Sequence, residues 1–240
     1  MKIAIFSDIH GNLPALQAIL SDIQKEKCDK TIFLGDAIGI GPRPKECLEL
    51  LLNSDVIFTP GNHELYYSVG THIDSSMEDE ETSHHKWLDR LLGEKYKNVI
   101  NNLPIQQTID IKGKTFAFQH FLLARKRGLF PFEEMPAVKI NGPEKYLNLQ
   151  EAGYTFIGHE HKPFSVNNGS KYIIDVGSSG CTQDNKTHYT ILNIDDTVSV
   201  SKKELTFDRD RLTQDILQED YPDREFTAKI FFGLNINKKD

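Results

Sequence analysis

The 240-residue chain is predicted to be an α/β protein that turns α+β in its strand-rich second half. Three observations carry that prediction. From Lys2 to Glu64, short apolar runs alternate with stretches of helical periodicity in the order β-α-β-α-β, the pattern of a parallel sheet with crossover helices. Each of these strands stops at a polar cluster at its C-terminal end, where open α/β sheets hold their ligands. From Thr108 onward the period changes and strands dominate.

Lys2–Phe6 is apolar, β-branched and aromatic, and reads as a buried strand. Asp8 and His10 follow, one residue apart; in extended backbone such a pair points to one side. Asn12 can cap a helix whose first turn holds Pro14 and whose buried stripe is Leu13, Leu16, Leu20 and Ile23. A second strand over 31–34 ends at Gly35-Asp36. A Gly/Pro turn over 39–44 leads into a helix over 45–53, with Cys47, Leu48, Leu51 and Leu52 inward. A third strand over 56–59 ends at Pro60-Gly61-Asn62-His63-Glu64. Residues 65–105 read as mainly helical and are expected to form a cap beside the strand ends; their acidic run over 77–81 reads as a solvated helix start. A hairpin over 107–119 turns at Lys112-Gly113. An irregular stretch over 121–140 carries a basic cluster, and a short helix over 143–152 follows. Strands are expected over 155–157, 164–166, 171–176, 188–194 and 198–202, then a terminal helix over 219–232. No repeat, low-complexity tract or linker interrupts the chain, so a single domain over 1–240 is expected.

The net charge of −7, from 28 basic and 35 acidic residues, argues against a binder of long nucleic acids, which usually presents a basic face. Small phosphorylated substrates stay open, because a bound metal can supply the positive charge. Cys28, Cys47 and Cys181 are scattered and form no CxxC pair. Neither a Cys-rich zinc site nor a disulfide framework is expected, and a reducing cytoplasmic setting is. The chain starts directly in a strand and contains no apolar run near the roughly 18–20 residues of a membrane span, so neither a signal peptide nor a span is expected.

The strand ends carry the chemistry. Asp8, His10, Asp36, Asn62, His63, His120, His159 and His161 all lie there, His159 and His161 again one residue apart. A lone histidine before a turn is commonly just a solvated loop residue. A set of ligand types at one end of one sheet is different. Imidazole, carboxylate and one amide oxygen, without thiolate, suit first-row ions such as Mn, Fe, Zn, Co or Ni. Four histidines, two aspartates and an asparagine exceed one tetrahedral shell and suffice for two ions sharing a carboxylate. Two ions roughly 3.5–4 Å apart form the clamp used for in-line attack on phosphorus. His72, His84, His85 and His188 read as non-ligands, with His85 near Trp87 at the rim. Gly177-Ser-Ser-Gly180 reads as a tight strand-end turn and not a phosphate loop, since no Lys and no helical pattern follow it.

Asp8-x-His10, Gly35-Asp36, Gly61-Asn62-His63-Glu64, His120 and Gly158-His-x-His161 together resemble the calcineurin-like metallophosphoesterase superfamily. The flanks Ser7-Asp-Ile-His-Gly-Asn-Leu-Pro-Ala-Leu16, Gly35-Asp-Ala-Ile-Gly-Ile-Gly-Pro42 and Asp175-Val-Gly-Ser-Ser-Gly180, with the segment from Trp87 to Pro104, resemble its small bacterial and archaeal phosphodiesterase-like branch. The resemblance implies a four-layer α/β/β/α sandwich with two central mixed sheets. It implies that Asp8, His10, Asp36 and His161 hold one metal and that Asp36 (bridging), Asn62, His120 and His159 hold a second. It further implies a hydroxide between the ions as nucleophile, with His63 protonating the leaving oxygen or steadying charge on the phosphoryl group. The chain departs from the pattern in places. Gly39 and Ile40 stand where related phosphatases carry an acid–arginine pair, so the acid that would orient His63 is missing. Pro60 stands where they carry Arg, and Phe121 where a small residue follows the histidine. Arg43, Arg125 and Arg127 are either solvated surface charge or the replacement for the lost phosphate grip, in which case Arg43→Ala raises KM.

The expected function is a cytoplasmic, two-metal phosphohydrolase acting on a small or nucleotide-type phosphoester, a diester foremost. Alternatives are a phosphomonoesterase or protein phosphatase, a diadenosine polyphosphate hydrolase, a nuclease, and a non-catalytic scaffold like the retromer subunit of this architecture. The oligomeric state is left open, a dimer through the cap included.

Overall fold

The computed structural model describes residues 1–123 and 142–236. It begins β1 (Lys2–Phe6), α1 (Leu13–Glu26), β2 (Lys30–Phe33), α2 (Pro44–Leu52) and β3 (Ile57–Phe58). Then come α3 (Asn62–Ser68), α4 (Asp79–Leu92) and α5 (Lys97–Asn101). The hairpin β4 (Gln106–Ile111) and β5 (Lys114–Gln119) is followed by a 3₁₀ segment (Pro143–Leu149), β6 (Tyr154–Ile157), β7 (Phe164–Asn167) and β8 (Tyr172–Asp175). The chain closes with β9 (Lys186–Ile194), β10 (Val198–Thr206), α6 (Arg209–Gln218) and α7 (Arg224–Phe232).

Two mixed five-stranded sheets result, ordered β10-β9-β1-β2-β3 and β4-β5-β6-β8-β7. In the first, β1 pairs parallel with β2 and β2 with β3, while β9 runs antiparallel to β1. In the second, β5, β6 and β8 run parallel. The strand ends that carry ligand-type residues therefore belong to two sheets and not to the one sheet expected, those of β1, β2 and β3 to the first and those of β5 and β6 to the second.

The apolar continuity of β1 has a simple cause. Ile3 and Ile5 face the second sheet, meeting Phe118 and Phe156. Ala4 and Phe6 face the helices, meeting Leu16 and Ile19 of α1 and Leu48 of α2. A strand buried on both faces has no polar alternate positions. Leu88 and Leu92 of α4 join the helix-side cluster, so the expected cap packs on that side. On the far face of the second sheet, Ile157 and Ile173 meet Leu147 of the 3₁₀ segment.

Two expectations are corrected. The segment expected as a helix over 143–152 is a 3₁₀ turn opened by Pro143, with its one buried apolar contact at Leu147. The expected helix over 219–232 starts only at Arg224, as α7, and a helix that was not expected, α6, lies before it, the two separated by Tyr221-Pro222-Asp223. Pro222 cannot donate a helical hydrogen bond, and Asp223 has φ +56°. The first of them, α6, shows only a sparse apolar stripe, Leu212 and Ile216, in a charged segment. Its one clear local signal is Asp208, whose side chain caps it by accepting from Arg211 N at 2.9 Å. No helix among the described residues is long and apolar enough to cross a membrane.

Candidate metal centre

The strand ends reach the site through left-handed backbone. Asp8, His10, Asp36, His159 and His161 all have positive φ, between +47° and +75°, and they make up five of the nine such non-glycine residues among those described. Asp8 and His10 thus share a focus as expected, but through two αL residues and not through a pleat. Each αL residue costs roughly 1–2 kcal/mol. Strain gathered at one spot persists only where the surroundings hold it, and it marks a functional site. Here adjacent loops do the holding: Asp8 N donates to Gly35 O and His10 N to Asp36 O, both at 2.9 Å.

The seven side chains converge in two overlapping groups. In the first, His10 Nε2 lies 3.0 Å from His161 Nε2, and Asp8 Oδ1 lies 3.4 Å from His161 Nε2 and 3.7 Å from His10 Nε2. In the second, Asn62 Oδ1 lies 3.0 Å from His120 Nε2 and 2.9 Å from His159 Nδ1. Asp36 Oδ2 stands between them, 3.8 Å from His10 Nε2 and 3.2 Å from His120 Nε2. Ligand atoms about 2.1 Å from a shared ion lie about 3.0–3.4 Å from one another, so these separations fit two ions with Asp36 common to both.

Hydrogen bonding tests the fit independently. His10 Nδ1 sits 3.1 Å from Ile38 O and His120 Nδ1 2.7 Å from Leu34 O. A carbonyl only accepts, so each Nδ1 carries a proton and donates, which leaves each Nε2 for the centre. There the Nε2 atoms meet buried carboxylate and amide oxygens, and positive charge must occupy the space among them. Burial opposes charge on His120, yet Asp36 and Asp8 outweigh it and push its pKa up to about 9. Burial likewise opposes charge on His161, and Asp8 with Cys181 pushes it up to about 11. Burial also disfavours the carboxylate of Asp8, but the surrounding histidines hold it well below its usual range. A divalent ion would supply the same charge through lone pairs and displace those protons.

The supporting residues come from further afield. Asp36 Oδ1 accepts from His63 N at 3.0 Å, which turns Oδ2 into the site. Glu64 is fully buried and accepts from four backbone donors: Asp36 N (2.7 Å), Ala37 N (2.8 Å), Ile38 N (3.2 Å) and Gly61 N (2.8 Å). Gly61 is required by close approach, since a Cβ there would fall 2.1 Å from Asp36 Oδ1. The 177–180 loop is a backbone clamp, with Gly180 N and Ser178 Oγ donating to Asp8 O at 2.9 and 2.8 Å. Asn12 caps α1 through Oδ1 and donates from Nδ2 to Gly180 O at 2.8 Å. The loop is thus the strand-end turn beside the site that was expected.

His63 lies beside the two groups, its ring edge-on to His10 with centroids 5.1 Å apart. It also lines a cleft of about 700 Å³ between the start of α4 and α7, walled by Glu78, Glu80, Glu81, Phe226 and Phe231. The acidic run thus starts a helix, as expected, and also walls this cleft. Among the described residues, no lysine or arginine lines it.

Other placements depart from expectation. Arg43 does not join the histidines. Its guanidinium pairs with Asp215 at 2.9 Å, with Glu219 and with Gln218, tying α2 to α6. Arg43→Ala is now expected to leave KM unchanged and to lower stability by roughly 1–3 kcal/mol, because it strips a charged partner from buried Asp215; urea denaturation and steady-state kinetics check both. Arg125 and Arg127 lie outside the described residues. His85, expected at the rim, is buried in contact with His63. Cys181 reaches within 4.8 Å of donor atoms on His10 and His161. Glu64 lies three residues after the N-cap Gly61, where a helix-start acid reaches back to the N-cap. No local signal marked Cys181 or the His85 contact. His188 is satisfied by Val176 O at 2.9 Å and is no ligand.

The chain matches the sequence model of a family described as calcineurin-like phosphoesterase over residues 1–174. An uncharacterised protein of Methanocaldococcus jannaschii is 29% identical over 208 residues, 80% of this chain and 82% of that one. A metallophosphoesterase from Sphaerobacter thermophilus superposes with a TM-score of 0.73 at 21% identity, covering 98% of this chain and 100% of its own. A hypothetical protein from Pyrococcus horikoshii superposes with a TM-score of 0.77 at 19% identity, covering 98% and 99%. At such identities the two structures establish a shared fold.

Proposed function

This chain belongs to the calcineurin-like phosphoesterase family, and from that premise we propose that it is a two-metal phosphohydrolase acting on small phosphodiesters, nucleotide-type esters included. The observation that carries the reading is the convergence of two buried carboxylates, an amide oxygen and four imidazoles around Asp36 Oδ2. Asp8, His10, Asp36 and His161 would hold one ion, and Asp36, Asn62, His120 and His159 the other. Bound there, Mn, Fe, Zn, Co or Ni would activate a water and neutralise charge on the phosphoryl group. The protein's own part is orientation. The Ile38 and Leu34 carbonyls fix the His10 and His120 rings, and the His63 amide fixes Asp36. His63 itself is the group placed to donate to a phosphoryl or leaving oxygen.

The cleft favours a diester. A monoester or polyphosphate would bring a second negative charge toward Glu78, Glu80 and Glu81. A diester carries one charge and brings a substituent that can lie on Phe226 and Phe231. If a cation does grip the substrate, Arg125 and Arg127 are the candidates left. The free cysteines among the described residues suit a cytoplasmic protein.

The test is direct. Protein reconstituted with Mn should hydrolyse bis-p-nitrophenyl phosphate at least about tenfold more efficiently in kcat/KM than p-nitrophenyl phosphate, a difference of about 1.4 kcal/mol. Equal or faster monoester turnover would end the diester reading, and no turnover of either would end the hydrolase reading.

A further inference from the structure

Position 39, where the phosphatases that this chain resembles carry the acid that would orient His63, is Gly39. The structure shows what fills the gap. A Cβ at Gly39 would fall 2.4 Å from His63 Nδ1, so the imidazole occupies the space a side chain at position 39 would need. That same Nδ1 lies 3.0 Å from His85 Nε2. The two rings are tilted by only 18°, with centroids 5.1 Å apart. With their nitrogens in contact at that separation, the rings meet edge to edge, as in an N–H···N hydrogen bond. Both are buried, His63 8% and His85 2% exposed. His85 is carried by α4, so the cap supplies what the loop after β2 lacks.

The direction of this bond follows from the far side of His85. Its Nδ1 is buried and finds no partner among the described residues. An orphaned buried N–H is rarer and more costly than an orphaned acceptor. His85 therefore carries its proton on Nε2 and leaves the lone pair on Nδ1 unpaired. We propose that His85 is the positioning residue of His63, and that its Nε2–H donates to His63 Nδ1 so that His63 keeps its own proton on Nε2. Nε2 is the nitrogen left for the metal side, where His63, His10 and Asp36 bring donor atoms within 4.8 Å of one another. An acid at position 39 would accept from Nδ1 and favour an imidazolium. His85 instead holds a neutral imidazole as a hydrogen-bond donor. His63 would then steady charge on the phosphoryl group rather than give up its proton.

The kinetic consequences rest on the phosphohydrolase reading, whereas the tautomer does not. Long-range proton–nitrogen correlation spectra of the imidazole rings, recorded on protein with zinc added, should show His63 protonated at Nε2; protonation at Nδ1 overturns the proposal. With bis-p-nitrophenyl phosphate, His85→Ala should lower kcat about 10- to 100-fold with KM within about twofold. His85→Gln, whose amide can donate from the place of Nε2, should recover to within about threefold of wild type, and His85→Glu, which only accepts, should not. Activity of His85→Glu equal to that of His85→Gln overturns the proposal. So does loss of a bound ion from His85→Ala, because His63, Glu81 and His85 would then be holding a metal of their own. If wild type hydrolyses no ester at all, the hydrolase reading falls while the spectra still decide the tautomer.

Discussion

On the proposed two-metal reading, Asp36→Asn should lower hydrolysis of bis-p-nitrophenyl phosphate by at least about 10³-fold, or about 4 kcal/mol in the barrier, with the fold intact. The substitution keeps the shape of the side chain, and Oδ1 can still accept from His63 N. What changes is the oxygen that faces both groups, 3.8 Å from His10 Nε2 and 3.2 Å from His120 Nε2. An amide there has no charge and brings either a weaker donor or an N–H. The bound-metal count should fall below that of wild type by elemental analysis. Stability gives a second readout. Ions that bind only the folded state stabilise it by mass action, so manganese should raise the wild-type melting temperature and leave that of Asp36→Asn nearly unmoved. Full activity with a full metal complement in the variant would remove Asp36 from the centre of the mechanism.

Glu64→Ala should be the most destabilising single change at the site, by roughly 3–5 kcal/mol in urea denaturation. One carboxylate accepts from four backbone donors on two segments, the loop after β2 and the start of α3. Each buried donor left unmet costs roughly 1–3 kcal/mol, and water entering the void recovers part of it. The loop it holds includes Asp36, whose φ of +59° would not persist without that grip. Activity should therefore fall with stability. Glu64→Gln, which keeps one carbonyl oxygen, should lie between the two. A loss below about 1 kcal/mol for Glu64→Ala would show that the loop holds its shape unaided.

Much of this molecule is legible from local chemistry. Lys2–Phe6 can only be a strand buried on both sides, and Asn12 with Pro14 starts a helix wherever it lies. Asp8, His10, Asp36, Asn62, His120, His159 and His161 could be grouped by type and by their place at strand ends, although those ends belong to two sheets that only packing brings together. The missing acid at Gly39 was legible too, as a gap. The helix α6 was not, because it buries so few apolar side chains that its period is lost among charges.

The sequence by itself determined most of the strands, the order of the strand ends and the donor set carried there. Tertiary structure alone decided how those donors are held and what surrounds them: the αL backbone at five of them, Glu64 lacing two segments together, Arg43 committed to Asp215 and Glu219, and an acidic wall opposite Phe226 and Phe231. It also decided the partner of His63, which comes from 22 residues away on α4. The reason is physical. Periodicity and capping report contacts within a few residues, whereas charge pairing, tautomer and cleft shape depend on which side chains packing brings within about 3 Å, and that separation has no trace in local spacing.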